Sequence, residues 1–262
     1  MACFRLVPFV GALLLTVACS GDVQRFEAQE VPGPPTVQIE VVEQHAEQFE
    51  TDVHERPAGS EEEQIAAAYI LGVLQQNGYF GRLDSVPVEN LFRSTNVIAE
   101  PEGGGDDPAA IVVVPYGTGE DSPPNSAAIG LFLELARALN VAAPGHSVQF
   151  ATVGAEYADV GSGALGSRRL ARFLLDEERD PLVVQLVDIS SDAERPFKAY
   201  GDAADEVNQI MLDVTGDEGI TQEALDVDPD VFEEAGFRRM LVIGRPDVAG
   251  PVLLRFLEEV GD

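Results

Sequence analysis

Three nearly unbroken apolar runs, "AIVVVP" at 110–115, "VQFATVG" at 148–154 and "LVVQLVD" at 182–188, set the narrowest limits on what this chain can fold into. A strand open to water on one face alternates polar and apolar residues, so a run that is apolar almost throughout belongs to a strand covered on both faces. Helical patterns separate the runs: "SAAIGLFLELARALN" at 126–140, "GALGSRRLARFLLDE" at 163–177 and, later, "DEVNQIMLDVTG" at 205–216. Strands joined through helices pair in parallel. This predicts an α/β fold with a mixed, mostly parallel central sheet and helices on both faces, a three-layer sandwich. Ligands of such sheets gather beyond the carboxyl ends of the strands. Further strand-like runs are "LDSVPVEN", "TNVIAE" and "RMLVIG". After "RPAGS" a helix is expected, capped by Ser60, with glutamates in its first turn and an end at Asn77 and Gly78.

The first residues, "MACFRLVPFVGALLLTVACSG", place Arg5 ahead of an apolar run from Leu6 to Ala18. Such a run is too short for a permanent membrane span and ends in small residues, so residues 1–19 are read as a secretory signal. The stretch "LTVAC" resembles the lipobox of bacterial lipoproteins, which implies Cys19 as an acylated first residue; the alternative is a plain signal cut near Ala18. With Cys3 removed in the signal, the mature chain has no pair of cysteines for a disulfide and no cysteine-based zinc site. Residues 20–37 are polar and proline-bearing and suit a tether, leaving 38–262 as one domain. The expected address is a bacterial cell envelope, with membrane contact through the anchor only.

Charge narrows the partners further. Against 46 Asp and Glu stand 16 Lys and Arg, a formal net charge of −30, and Lys198 is the only lysine. Such a surface repels phosphate backbones, which excludes nucleic acid, and its plainest reading is a strongly solvated acidic exterior.

An ordered series of landmarks spans nearly the whole domain: "RPAGSEEEQIAAAYILGVLQQNGYF", "TNVIAE", the strand into "PYGT", "NSAAIGLFLELARAL", "VQFATVGAEY" and "LGSRRL". In this order they resemble the M28 family of zinc aminopeptidases. The resemblance implies two zinc ions bridged by a carboxylate and a glutamate base that activates the bridging water. Carried over by position, the implied histidine and aspartate after the third strand fall on Pro115 and Gly117, flanking Tyr116. The bridging aspartate falls on or beside Pro124, next to Asn125, and the Glu-Glu pair falls on Glu156 and Tyr157. A later aspartate matches Asp188, Asp228 is followed by Pro229 where a histidine is implied, and no histidine follows the final strand. Glu156 is therefore expected as a vestigial base and Asp188 as the single retained ligand position, with no zinc or other cofactor bound. The expected function is recognition of a peptide or protein ligand in the former cleft, where Tyr116, Asn125, Glu156, Tyr157 and Asp188 would gather.

Each residue also has a plainer use. Glu156 after a central strand can satisfy backbone amides, Asp188 can cap "SSDAE", and His45, His54 and His146 are read as exposed or structural. An active exopeptidase would need a relocated site, for which Glu120, Asp121, Glu156, Asp159 and Asp188 are the available carboxylates; an all-oxygen set favours calcium, magnesium or manganese. "GSGALG" at 161–166 has the dinucleotide-loop pattern with Asp188 at a fitting distance, but "AEYADV" separates it from its strand. No G-x-S-x-G occurs, which sets aside a serine hydrolase of that type.

Overall fold

The computed structural model describes residues 33–89, 92–105, 107–120, 122, 125–159, 163–193, 197–215 and 230–261. The signal segment with Cys19, most of the tether, Asp121, Pro124 and the Asp228–Pro229 step lie outside the described residues. No helix among the described residues is long and apolar enough to cross a membrane.

In chain order the elements are α1 (Ile39–Asp52), α2 (Glu61–Gln76), β1 (Tyr79–Pro87), β2 (Arg93–Pro101), β3 (Ala110–Pro115), α3 (Ser126–Ala142), β4 (Val148–Val153), α4 (Leu165–Asp176), β5 (Leu182–Ile189), β6 (Phe197–Gly201), α5 (Ala204–Thr215), α6 (Val231–Glu234), β7 (Arg239–Gly244) and α7 (Pro246–Gly261). The sheet has seven strands in the order β1-β2-β4-β3-β5-β7-β6. Its middle, β4-β3-β5-β7, is parallel throughout, while β1-β2, β2-β4 and β6-β7 pair antiparallel. The mixed sheet expected from the apolar runs is thus present, with those three runs at its centre.

Successive side chains of a strand face opposite ways, and the core divides accordingly. Val112, Val114, Phe150, Val184 and Val242 pack under α1, α2, α3 and α7, whereas Ile111, Val113, Ala151, Val153 and Val183 pack under α4 and α6. Two elements escape the pattern-based reading. Strand β6 is five residues long and lies at an edge, and α7 carries Pro251 inside it, a residue that argues against a helix. At the other edge, β1 leaves Phe80 67% and Leu83 55% exposed.

Two contacts seat the amino-terminal part. In α3, a Cβ on Gly130 would overlap the Val42 carbonyl oxygen, so the glycine lets the α1 backbone lie directly on α3. Farther along α3, Arg137 donates from Nε to Glu134 Oε2 and from Nη2 to Glu134 Oε1, each at 2.7 Å, and both side chains are buried. The pair also grips the entering chain: Arg137 Nη2 donates to the Thr36 carbonyl at 2.8 Å and to that of Pro34 at 3.2 Å, and Gln38 N donates to Glu134 Oε1 at 2.8 Å. Residues 34–38 are therefore held to the domain.

Two histidines serve the packing. His146 precedes β4, receives the Val148 amide on Nδ1 at 3.1 Å and meets the Tyr79 hydroxyl at 3.0 Å; burial lowers it to about 4. His45 meets the Tyr69 hydroxyl at 2.7 Å between α1 and α2, and burial lowers it too.

Candidate functional site

A cleft of about 880 Å³ opens at the carboxyl end of β3. One wall is the end of α1 with the turn into α2, contributing Glu50, His54, Glu55, Arg56 and Pro57. The other is the loop from β3 into α3, contributing Thr118, Gly119, Glu120, Ser122, Asn125 and Ser126. This is where the sheet topology places a ligand site.

Arg56 joins the two walls. Its side chain is 2% exposed. Nε donates to the Tyr116 carbonyl at 2.6 Å, Nη2 to Asn125 Oδ1 at 2.6 Å, and Nη1 to the Val53 carbonyl. The Arg56 amide donates to Thr118 Oγ1 at 2.6 Å, and the Thr118 amide returns a bond to the Arg56 carbonyl at 2.9 Å. Burial brings the guanidinium down to about 10, against the opposing charge of Glu50; it remains a cation at any neutral pH. No carboxylate of the described residues lies within 4.0 Å of it.

Asn125 completes the floor. Its Nδ2 donates to the Pro115 carbonyl at 2.9 Å and to the Gly117 carbonyl at 3.0 Å. With its side chain used this way, Asn125 makes no capping bond to α3, and the first turn of α3 holds no acidic residue. The amide groups that begin a helix have no partners within it, so this end carries partial positive charge. Ser126 brings it to the cleft wall.

Of the five residues expected to share the cleft, only Asn125 lines it. Tyr116 corrects its expected position: it is fully buried in the core and its hydroxyl donates to the Thr95 carbonyl at 2.6 Å. Burial, with the charge of Glu63 next, pushes that phenol up. Glu156 turns toward α4, where Ser167 donates its hydroxyl to Oε1 at 2.7 Å and its amide to Oε2 at 3.2 Å. The carboxylate thus serves the start of α4, the amide-satisfying use, and burial raises its pKa although those bonds pull the other way. Tyr157 packs its backbone and Cβ against Gly119, where an added methyl would meet Tyr157 Cβ at 2.8 Å. Burial and the neighbouring Glu156 charge push its phenol up to about 12. Asp188 is exposed past a register shift in β5, opposite Ile243 of β7, and borders neither this cleft nor the smaller cavity beside α1.

Three participants have no role assigned by position along the chain, although Arg56 and Glu63 lie inside the landmark "RPAGSEEEQ". Arg56 gains its role from partners some sixty residues away. Glu63, one of three consecutive glutamates, is fully buried and accepts the Gly59 amide at 2.7 Å and the Ala155 amide at 2.9 Å. It thereby ties the turn before α2 to the loop after β4, and burial raises its carboxyl. His54 lies at the cleft itself, exposed.

The sheet order, the two helical layers and a cleft beyond β3 define an α/β sandwich of the zinc-exopeptidase type. Solved structures bear this out: a leucine aminopeptidase precursor from Bacteroides thetaiotaomicron superposes with a TM-score of 0.68 at 13% identity, covering 88% of this chain and 99% of that one. A Zn-dependent exopeptidase from Parabacteroides distasonis gives 0.67 at 13% identity over 86% and 99%. A glutaminyl cyclase from an Acidobacteriales bacterium gives 0.67 at 14% identity over 87% and 96%. At these identities the likeness is one of fold. No family model matches the chain, and no curated protein matches it.

The zinc of those exopeptidases does not fit the residues present. At the implied ligand positions Pro115 and Gly117 offer only carbonyls, and both carbonyls accept from Asn125. The Tyr116 carbonyl between them accepts from Arg56, a permanent cation that repels a metal ion. Glu156 is committed to Ser167. Among the described residues no three His, Cys, Asp or Glu side chains form a metal-holding group. Of the relocated set, Glu120, Glu156, Asp159 and Asp188 form no such group among the described residues, and Asp121 lies outside them.

The glycine motif also has an occupant. The start of α4, where a pyrophosphate would sit in a dinucleotide fold, already holds the Glu156 carboxylate.

Proposed function

We propose that this protein is an exported, non-catalytic relative of zinc exopeptidases that binds a peptide or other small ligand in the cleft between the α1–α2 turn and the β3–α3 loop. The observation that carries this reading is the engagement of the Pro115, Tyr116 and Gly117 carbonyls by Asn125 and Arg56. A base needs a water to activate and an electrophile to polarise the carbonyl under attack. Here the ligand positions are filled by internal hydrogen bonds, while the cleft beside them stays open and polar.

The test is metal retention by the purified full chain after incubation with zinc, manganese and calcium and thorough desalting. Mass spectrometry is expected to find no ion in stoichiometric amount. One or two retained ions per chain would sink the reading and restore the alternative, a metal-dependent exopeptidase with a relocated site. The address is part of the same proposal: anchored through an acylated Cys19, the chain is expected in the membrane fraction, and recovery of a Cys19→Ser variant in that same fraction would remove the anchor from the account.

A further inference from the structure

The cleft carries opposite charge at its floor and at its mouth. Arg56 borders the floor as a buried cation with no carboxylate of the described residues within 4.0 Å. Of its two Nη2 hydrogens, one goes to Asn125 Oδ1; the described residues offer no second acceptor. Thr118 Oγ1 accepts from the Arg56 amide, which leaves its own proton to donate. The uncapped start of α3 adds its dipole on the same side. Glu50 and Glu55 on the Arg56 wall and Glu120 on the opposite one line the same cleft, and all three are exposed.

An acidic rim alone, or a helix start alone, specifies nothing. A simple anion would be repelled at the mouth, and a simple cation would meet the guanidinium at the floor. A buried charge whose hydrogen bonds go only to neutral acceptors has lost its water with no carboxylate in contact, Glu50 acting on it only from beyond 4.0 Å, and a ligand carboxylate supplies the missing contact.

Granting that the cleft binds a ligand, we infer that the ligand is a zwitterion, a free amino acid or short peptide with both termini unblocked, its carboxylate toward Arg56 and Thr118 and its ammonium toward Glu50, Glu55 and Glu120. The glutamates then contribute orientation as much as affinity, because a ligand entering in reverse sets like charges together at both ends.

Calorimetric titration of the purified full chain with alanine, Ala-Ala and Ala-Ala-Ala, each also in amidated and acetylated form, tests this. At least one of the free compounds is expected to bind, which fixes the span between the two charged ends. Amidating it should weaken binding at least about 10-fold, the loss of a charged hydrogen bond. Acetylation should weaken it about 3-fold or more, and Glu55→Gln with Glu120→Gln, both exposed and compatible with folding, should reproduce the loss on acetylation without adding to it. Equal affinity of free and amidated compounds overturns the inference. Binding of Ac-Ala-Ala-Ala-NH2 while no free compound binds overturns it too, yet leaves the cleft a ligand site. Silence from every compound to millimolar concentration removes both readings.

Discussion

Glu134→Ala is expected to cost this domain on the order of 3–5 kcal/mol, the usual consequence of leaving one half of a buried ion pair behind. The Arg137 guanidinium would keep its charge in a site sealed from water, and the Gln38 amide would lose its acceptor. Arg137 Nη1 already has no hydrogen-bond partner, so nothing nearby is free to compensate. For a domain of this size the loss should lower the melting temperature by roughly 10 °C. Replacing the pair together, Glu134→Leu with Arg137→Met, should recover much of it, since an apolar pair does not strand a charge. Thermal unfolding of the parent chain and the two variants decides the matter. A double variant no more stable than Glu134→Ala would mean that the grip on residues 34–38, rather than the stranded charge, carries the stability.

Gly130→Ala should destabilise by about 2–3 kcal/mol, because the new methyl meets the Val42 carbonyl oxygen, a piece of backbone that can yield only if α1 moves. The effect is expected to be local in form. Helix α1 contributes a wall of the cleft through Glu50, so hydrogen exchange should quicken along α1 while the amides of β3, β4 and β5 keep their protection. Unchanged exchange in α1 together with an unchanged melting temperature would show that α1 sits farther from α3 than described.

These two residues also mark where reading the sequence stops. The apolar runs at β3, β4 and β5 announce a sheet covered on both faces because burial on both sides leaves no room for alternation. Strand β6 gives no such signal, being short and at an edge, and α7 is disguised by Gly250 and Pro251. At the site, position along the chain tells where Pro115, Gly117 and Glu156 fall but not what they touch. The plainer use of Glu156, satisfying an amide, is the one its hydrogen bonds display. Arg56 opens the "RPAGS" turn, but the partners through which it joins the two walls, Tyr116 and Asn125, lie sixty or more residues away and cannot be read from its position. Tyr116 looks like a cleft residue by its place after a strand, yet the continuing strand direction carries its ring inward.

The bare edge at β1 gives the acidity of the chain a second meaning. A nine-residue strand with Phe80 and Leu83 open to solvent is a template onto which another sheet can add itself. Many proteins blunt such an edge with a lysine, a bulge or a covering helix. This one holds a single lysine, buried in β6, and its net charge of −30 makes every copy push its neighbours away. Colloidal stability thereby becomes a property of the medium: concentrated salt shortens the reach of the repulsion, acid near the carboxylate range extinguishes it, and the sticky edge is restrained only as long as the carboxylates stay ionised.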